Sequence, residues 1–176
     1  MSNCGIGTIR EKAEIDSRNE SQLAEGKIER EKETRIIEKT NERLKELVPD
    51  DNLYEAVENF LLGDPENQIP QLGVPAEILT NGDEEANKGE DLMARAKFET
   101  SAKVAIYKQE PSMVKKSLEL AIKVTNPNDK HARMQTTILD NINQVIRIAR
   151  DYYKTKEKVT AEVNSSVSAD TAEVKK

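Results

Sequence analysis

Residues 129–158, DKHARMQTTILDNINQVIRIARDYYKTKEK, decide the fold class. Met134, Ile138, Ile142, Val145, Ala149 and Tyr152 recur at spacings of three and four residues, flanked by Leu139, Ile146 and Tyr153. That period belongs to an α-helix, because a strand repeats every second residue. The apolar face is wide enough to contact two neighbours rather than one. Asn128 or Asp129 is the expected cap, directly after Asn126-Pro127.

Upstream, two more helices are expected. Residues 111–125 open on Pro111, which suits a first helical position, and would bury Val114, Leu118, Ala121 and Ile122. Residues 84–109 carry Met93, Ala96, Thr100, Val104 and Tyr107 along one stripe. Before them, residues 64–90 read as an acidic connector. Pro65, Pro70 and Pro75 forbid a long helix, while Ile69, Leu72, Val74, Ile78 and Leu79 are too apolar for a free linker, so an extended path across a helical surface is expected, closed by a turn at Asn81-Gly82.

Residues 49–63 hold a short amphipathic helix. Asp51 is the expected cap, Leu53, Val57, Phe60 and Leu61 form the stripe, and Gly63 ends it. Residues 1–48 read as an extended charged helical segment, in which residues 9–47 are free to be one helix of roughly 55 Å. Thr8 and Glu11 offer a capping box, and Gly26 is a place to bend. Between Arg10 and Glu46, 21 of 37 residues are charged, with Glu14–Arg18, Glu31–Arg35 and Glu42–Lys45 at pairing distance along a helix. Ile37, Leu44 and Leu47, with Thr40 between them, suit a short coiled-coil seam. A single solvated helix packed only at its end fits these residues equally well. Residues 159–176 are expected to be a disordered tail.

The expected architecture is therefore all-α: an antiparallel helical hairpin or small helical bundle over residues 91–158, preceded by a long charged N-terminal helix. Leu, Ile, Val and Phe number 39 of 176 residues, aromatic residues make up 3%, and Trp is absent. So lean a core points to added burial by self-association, and a homo-oligomer with a protein partner is the expectation. Ile37, Leu44, Leu47, Ile138, Ile142, Val145, Ile146 and Tyr152 are the candidate self-association residues.

Charge is divided along the chain. Residues 50–91 carry 12 acidic groups and one basic group, whereas residues 92–158 carry 14 basic and 7 acidic groups. The basic block offers Lys115, Lys116, Lys123, Lys130, Arg133, Arg147, Arg150, Lys154, Lys156 and Lys158 as contacts for nucleic acid or another polyanion. The same block could instead be neutralised by the acidic one, within or between chains. Ordinary solvated helix faces would also produce such a pattern. Aromatic interleaving is too sparse for base stacking, and no helix-turn-helix signature is present.

No catalytic, cofactor or metal site is expected. The single histidine, His131, falls in the first turn of a helix near Asp129, a common place for a surface or partly packed residue. Cys4 is alone, so neither a disulfide nor a cysteine metal site is available. Gly5-Ile6-Gly7 lacks the third glycine of a dinucleotide loop. Asp83, Glu85 and Asn87 mimic the start of a calcium loop, but Lys88 stands where glycine is required and Ala94 where the closing glutamate belongs. Asn164-Ser165-Ser166 is a glycosylation sequon without a secretory signal. No apolar run approaches the roughly 20 residues that span a bilayer, so no membrane association and a cytoplasmic location are expected.

One family resemblance adds to this reading. Asp91 with Ala94-Arg95 opens a helical arm, Leu118-Glu119-Leu120-Ala121 closes it, Pro127 makes the turn, and the periodicity from Ile138 to Tyr152 forms the return. On these residues the stretch from Asp91 to Lys156 resembles the central helical hairpin of the small terminase (DNA-packaging) subunits of T-even-type tailed phages. The resemblance implies a ring-forming, non-catalytic subunit that engages viral DNA, stimulates the ATPase of a large packaging subunit, and works in the host cytoplasm. Pro111, which interrupts the first arm, and Asn126-Pro127-Asn128 in the turn depart from that pattern.

Overall fold

The structure is a computed structural model that describes residues 6–61 and 69–173. Among them all regular structure is helical: α1 (Ile6–Leu47), α2 (Asp51–Leu61), a 3-10 turn (Ile69–Leu72), α3 (Pro75–Asn87), α4 (Asp91–Tyr107), α5 (Pro111–Val124), α6 (Lys130–Asp140) and α7 (Ile142–Glu173). The chain divides into two compact units. The first comprises residues up to Asn41 and from Lys158 onward, and the second comprises Glu42–Glu157.

In the second unit α4 packs against both α3 and α5, and α6 packs against α2 and α5. One apolar core runs through Leu44, Val57, Phe60, Ile106, Leu118, Ile138, Val145 and Tyr152. A smaller cluster of Leu79, Ala94, Phe98 and Ala121 seals α3 and α5 to α4. The latter interface is close. Gly82 lies so near Phe98 that a Cβ there would stand 2.6 Å from the ring, which is why α3 carries glycine at mid-helix. Ser101 Oγ, in α4, donates to the Pro75 carbonyl at 2.8 Å and is 2.9 Å from Ser117 Oγ of α5, so the buried hydroxyls are partnered.

Several expectations need correction. The connector is largely folded: Pro75 starts α3 rather than blocking it, because proline is tolerated where no intrahelical donor is needed. Asn81-Gly82 is therefore interior to α3, and Asp83, Glu85 and Asn87 of the calcium-loop mimic belong to the same helix, Asn87 as its last residue. The helix expected over 84–109 is split at Gly89, whose φ of 79° lets Glu90 N donate to Glu85 O at 3.0 Å and close α3. The helix expected over 129–158 is split at Asn141, whose side-chain amide donates to Thr137 O at 2.9 Å and ends α6. Asp50, not Asp51, caps α2, accepting from the backbone N–H groups of Asn52 and Leu53 at 2.9 and 3.1 Å.

In the first unit, α1 runs unbroken through Gly26. Nearly all side chains from Glu14 to Lys39 are exposed, and Lys32, Ile36 and Thr40, one turn apart, form the covered face. Glu29 and Lys32 make the i, i+3 ion pair at 3.7 Å. The expected disordered tail is helical as far as Glu173, with Val159 and Val163 buried. Two valines four residues apart suffice to seat one face of a helix, a spacing that the surrounding Ser, Thr and Glu obscure. Thr8, Glu11, Gly63 and Pro65 of the sequence reading lie outside the residues whose side chains are described.

Candidate partner-binding groove

The N-terminus of α6 organises the most structured polar region. Pro127 prevents α5 from continuing, Asn126 Oδ1 accepts from Asn128 N at 3.0 Å, and Asp129 N donates to Asn126 O at 2.9 Å. Asp129 Oδ1 then caps α6 by accepting from His131 N at 3.0 Å. The other carboxylate oxygen accepts from Arg95 Nη1 of α4 at 3.1 Å. The backbone bond from His131 is the first reason that the Asp129 carboxyl titrates below its usual range; the charges of His131 and Arg95 and the Arg95 bond add to it, against an opposing effect of burial.

One turn along α4 from Arg95, Glu99 Oε1 accepts from His131 Nδ1 at 3.0 Å and from Gln135 Nε2 at 2.8 Å. A carboxylate only accepts, so His131 Nδ1 is the donor in this bond. Gln135 Nε2 also donates to Thr125 Oγ1 at 3.0 Å, and Thr125 Oγ1 donates to Ala121 O at 2.6 Å. Arg95 and Glu99 thus meet Asp129, His131 and Gln135 rung by rung and fix α4 and the end of α5 to α6. The Gln135 carbonyl oxygen is buried without a hydrogen-bond partner.

Beside these ties lies a groove of about 950 Å³. One wall is the α2 face of Asn52, Glu55, Ala56 and Asn59; the other is the α6 face of Lys130, Arg133, Met134 and Thr137. Both have the i, i+3, i+4, i+7 spacing of a single helix face. Glu99, His131, Phe60 and Lys103 line the groove between those walls, with Lys103 Nζ 5.4 Å from the centre of the Phe60 ring. Its size falls in the range of known ligand sites. No group of three or more His, Cys, Asp or Glu suited to a metal occurs among the described residues.

The sequence-derived candidates are dispersed. Lys115, Lys116 and Lys123 are exposed on α5, Lys130 and Arg133 on the groove rim, and Arg147, Arg150 and Lys154 on one face of α7. Lys156 is half-buried, and the exposed Lys158 belongs to the first unit. Lys115 pairs with Glu119 at 3.9 Å and Arg150 with Asp151 at 3.6 Å. Of the self-association candidates, Leu44, Ile138, Val145 and Tyr152 are buried in the chain's own core, and Ile142 and Ile146 pack against it. Only Ile37 and Leu47 are exposed, at 51% and 39%. The stripe read as a surface for other copies is mainly internal, because α2, α4 and α5 cover it.

Sequence reasoning missed Arg95, Glu99, Gln135, Asn52 and Asn59. The available signal was spacing: Arg95 and Glu99, like His131 and Gln135, stand four residues apart on facing helices. No protein-family model, curated protein or solved structure matches the chain.

Proposed function

We propose that the chain is a non-catalytic, self-associating α-helical adaptor that acts in the cytoplasm and binds another protein through the groove between α2 and α6. The groove carries this reading. Its amides at Asn52, Asn59 and Asn128 can both donate to and accept from a main chain. Its imidazole and nearest carboxylate are engaged with each other, an arrangement suited to holding two helices at a fixed separation. No helix among the described residues is long and apolar enough to cross a membrane.

A photo-crosslinker at Asn59, on the groove wall, tests the reading against the same group at Lys116, on the exposed side of α5. Capture of one discrete partner, or of a second copy, from Asn59 alone is the expected result. Equal capture from both positions would sink the groove as a docking site.

A DNA-packaging subunit similar to the small terminases is the second reading, favoured by Arg147, Arg150 and Lys154 at i, i+3, i+7 on an exposed face. Binding to duplex DNA would then fall steeply with salt and be lost in Arg150→Glu/Lys154→Glu. Mass by light scattering, with and without DNA, separates the two. A mass above 19.8 kDa without DNA is expected of both; a further gain on adding DNA favours the packaging subunit, and no gain favours the adaptor.

A further inference from the structure

The first unit presents a surface that its own chain leaves bare. Leu23 and Ile37 of α1 are 68% and 51% exposed, on a helix whose covered face of Lys32, Ile36 and Thr40 lies about a quarter turn away at 3.6 residues per turn. Gly26, Arg30 and Glu33 fall between them, so Leu23, Gly26, Arg30, Glu33 and Ile37 keep an unbroken 4-3 alternation, the spacing of a two-helix seam. Such a seam with glycine, a cation and an anion at its centre cannot be stable against an arbitrary apolar partner. Arg30 and Glu33 would be desolvated without compensation.

A second copy running the opposite way compensates each position. With the copies aligned so that Arg30 faces Glu33, the symmetric relation also sets Glu33 on Arg30, and Ile37 on Gly26 at both ends of the centre. Each cation then meets an anion, and each Ile37 meets the one residue without a side chain. The parallel, in-register alternative stacks Arg30 on Arg30 and Glu33 on Glu33, two like-charge layers in succession. We infer that α1 pairs antiparallel with α1 of a second copy along Gly26–Ile37, with Arg30 and Glu33 setting orientation. This rests on the self-association reading and adds the surface and the direction.

Charge exchange tests it on the full chain by light scattering over a concentration series. Arg30→Glu or Glu33→Arg alone should weaken the dimer by about tenfold or more, because each places two like-charge layers at the centre. Arg30→Glu/Glu33→Arg should restore it. With Cys4→Ser in every variant, Gly26→Cys/Ile37→Cys should form an intermolecular disulfide, whereas Gly26→Cys alone should not. A chain that is monomeric throughout overturns both the pairing and the self-association reading. A dimer indifferent to the single exchanges, or cross-linked by Gly26→Cys alone, overturns the antiparallel seam and leaves self-association standing.

Discussion

The second unit contains two helical hairpins that share α4, and they are held differently. Between α3 and α4 the contact is by shape: Gly82 admits the Phe98 ring, with Leu79 and Ala94 around it. Between α4 and α5 the contact is partly polar, with Ser101 and Ser117 sharing a buried bond among Ala102, Val114 and Leu118. Their turns match in form. Glu90 N donates to Glu85 O at 3.0 Å after Gly89, and Glu110 N donates to Ala105 O at 2.9 Å after Gln109. Yet one turn has glycine at φ 79° and the other a glutamine at φ 60°. The same form of turn from unlike residues places a non-glycine residue in the left-handed region at Gln109, which local sequence alone would not choose.

The largest effect is expected where the first hairpin depends on shape. Phe98→Ala removes a side chain that is 1% exposed and should cost about 3–5 kcal/mol in chemical denaturation. A loss under about 1 kcal/mol would mean that α3 is not seated on α4 through that ring. Gly82→Ala probes the same contact with opposing forces. An unobstructed helix gains up to about 1 kcal/mol from this change. Here the Cβ clash should reverse the sign, giving a net loss of roughly 1–2 kcal/mol. Gly26→Ala in α1, where nothing of the same chain lies within 4 Å of the added carbon, is the control that should gain stability when measured at protein concentrations too low for α1 pairing.

The second hairpin should answer to hydrogen bonding. Ser101→Ala removes bonds to Pro75 and Ser117 together and should cost about 1–2 kcal/mol, more than Ser117→Ala, which spares the Pro75 bond. Equal costs would show that the hydroxyl pair is incidental. At the turns, Gln109→Gly should stabilise by about 0.5–1 kcal/mol, since the backbone already adopts a glycine conformation, whereas Gly89→Ala should destabilise. If both changes are neutral in thermal melts, positive φ carries no strain at either turn.

The face of α4 toward α6 provides the smallest and most selective test. The Asp129 carboxyl has a folded pKa below its unfolded value near 3.8, so its stabilisation is present above about pH 4 and lost as pH falls through the folded pKa. Asp129→Asn should flatten the acid limb of the stability curve below that pH. An unchanged limb would show that other carboxyls dominate it.

The sequence by itself determined the helical class, the start of α5 at Pro111, a cap at Asn128 or Asp129, of which the structure uses Asp129, and the apolar rows on α5 to α7. Those features follow from local rules: a periodicity, a proline that sets φ, and a side chain that reaches a backbone group two residues away. Whether a row faces solvent, a second copy or the chain's own core is not a local property. Ile138 and Val145 read as readily for self-association as for the interior, until α2, α4 and α5 close over them. Tertiary structure also decided the breaks at Gly89 and Asn141, because an isolated glycine or asparagine inside a strong period is tolerated unless packing rewards a turn. The ties from Glu99 to His131 and Gln135 join residues 32 and 36 positions apart. Their partners are set by the height at which α6 docks on α4, and only the packed helices fix that height.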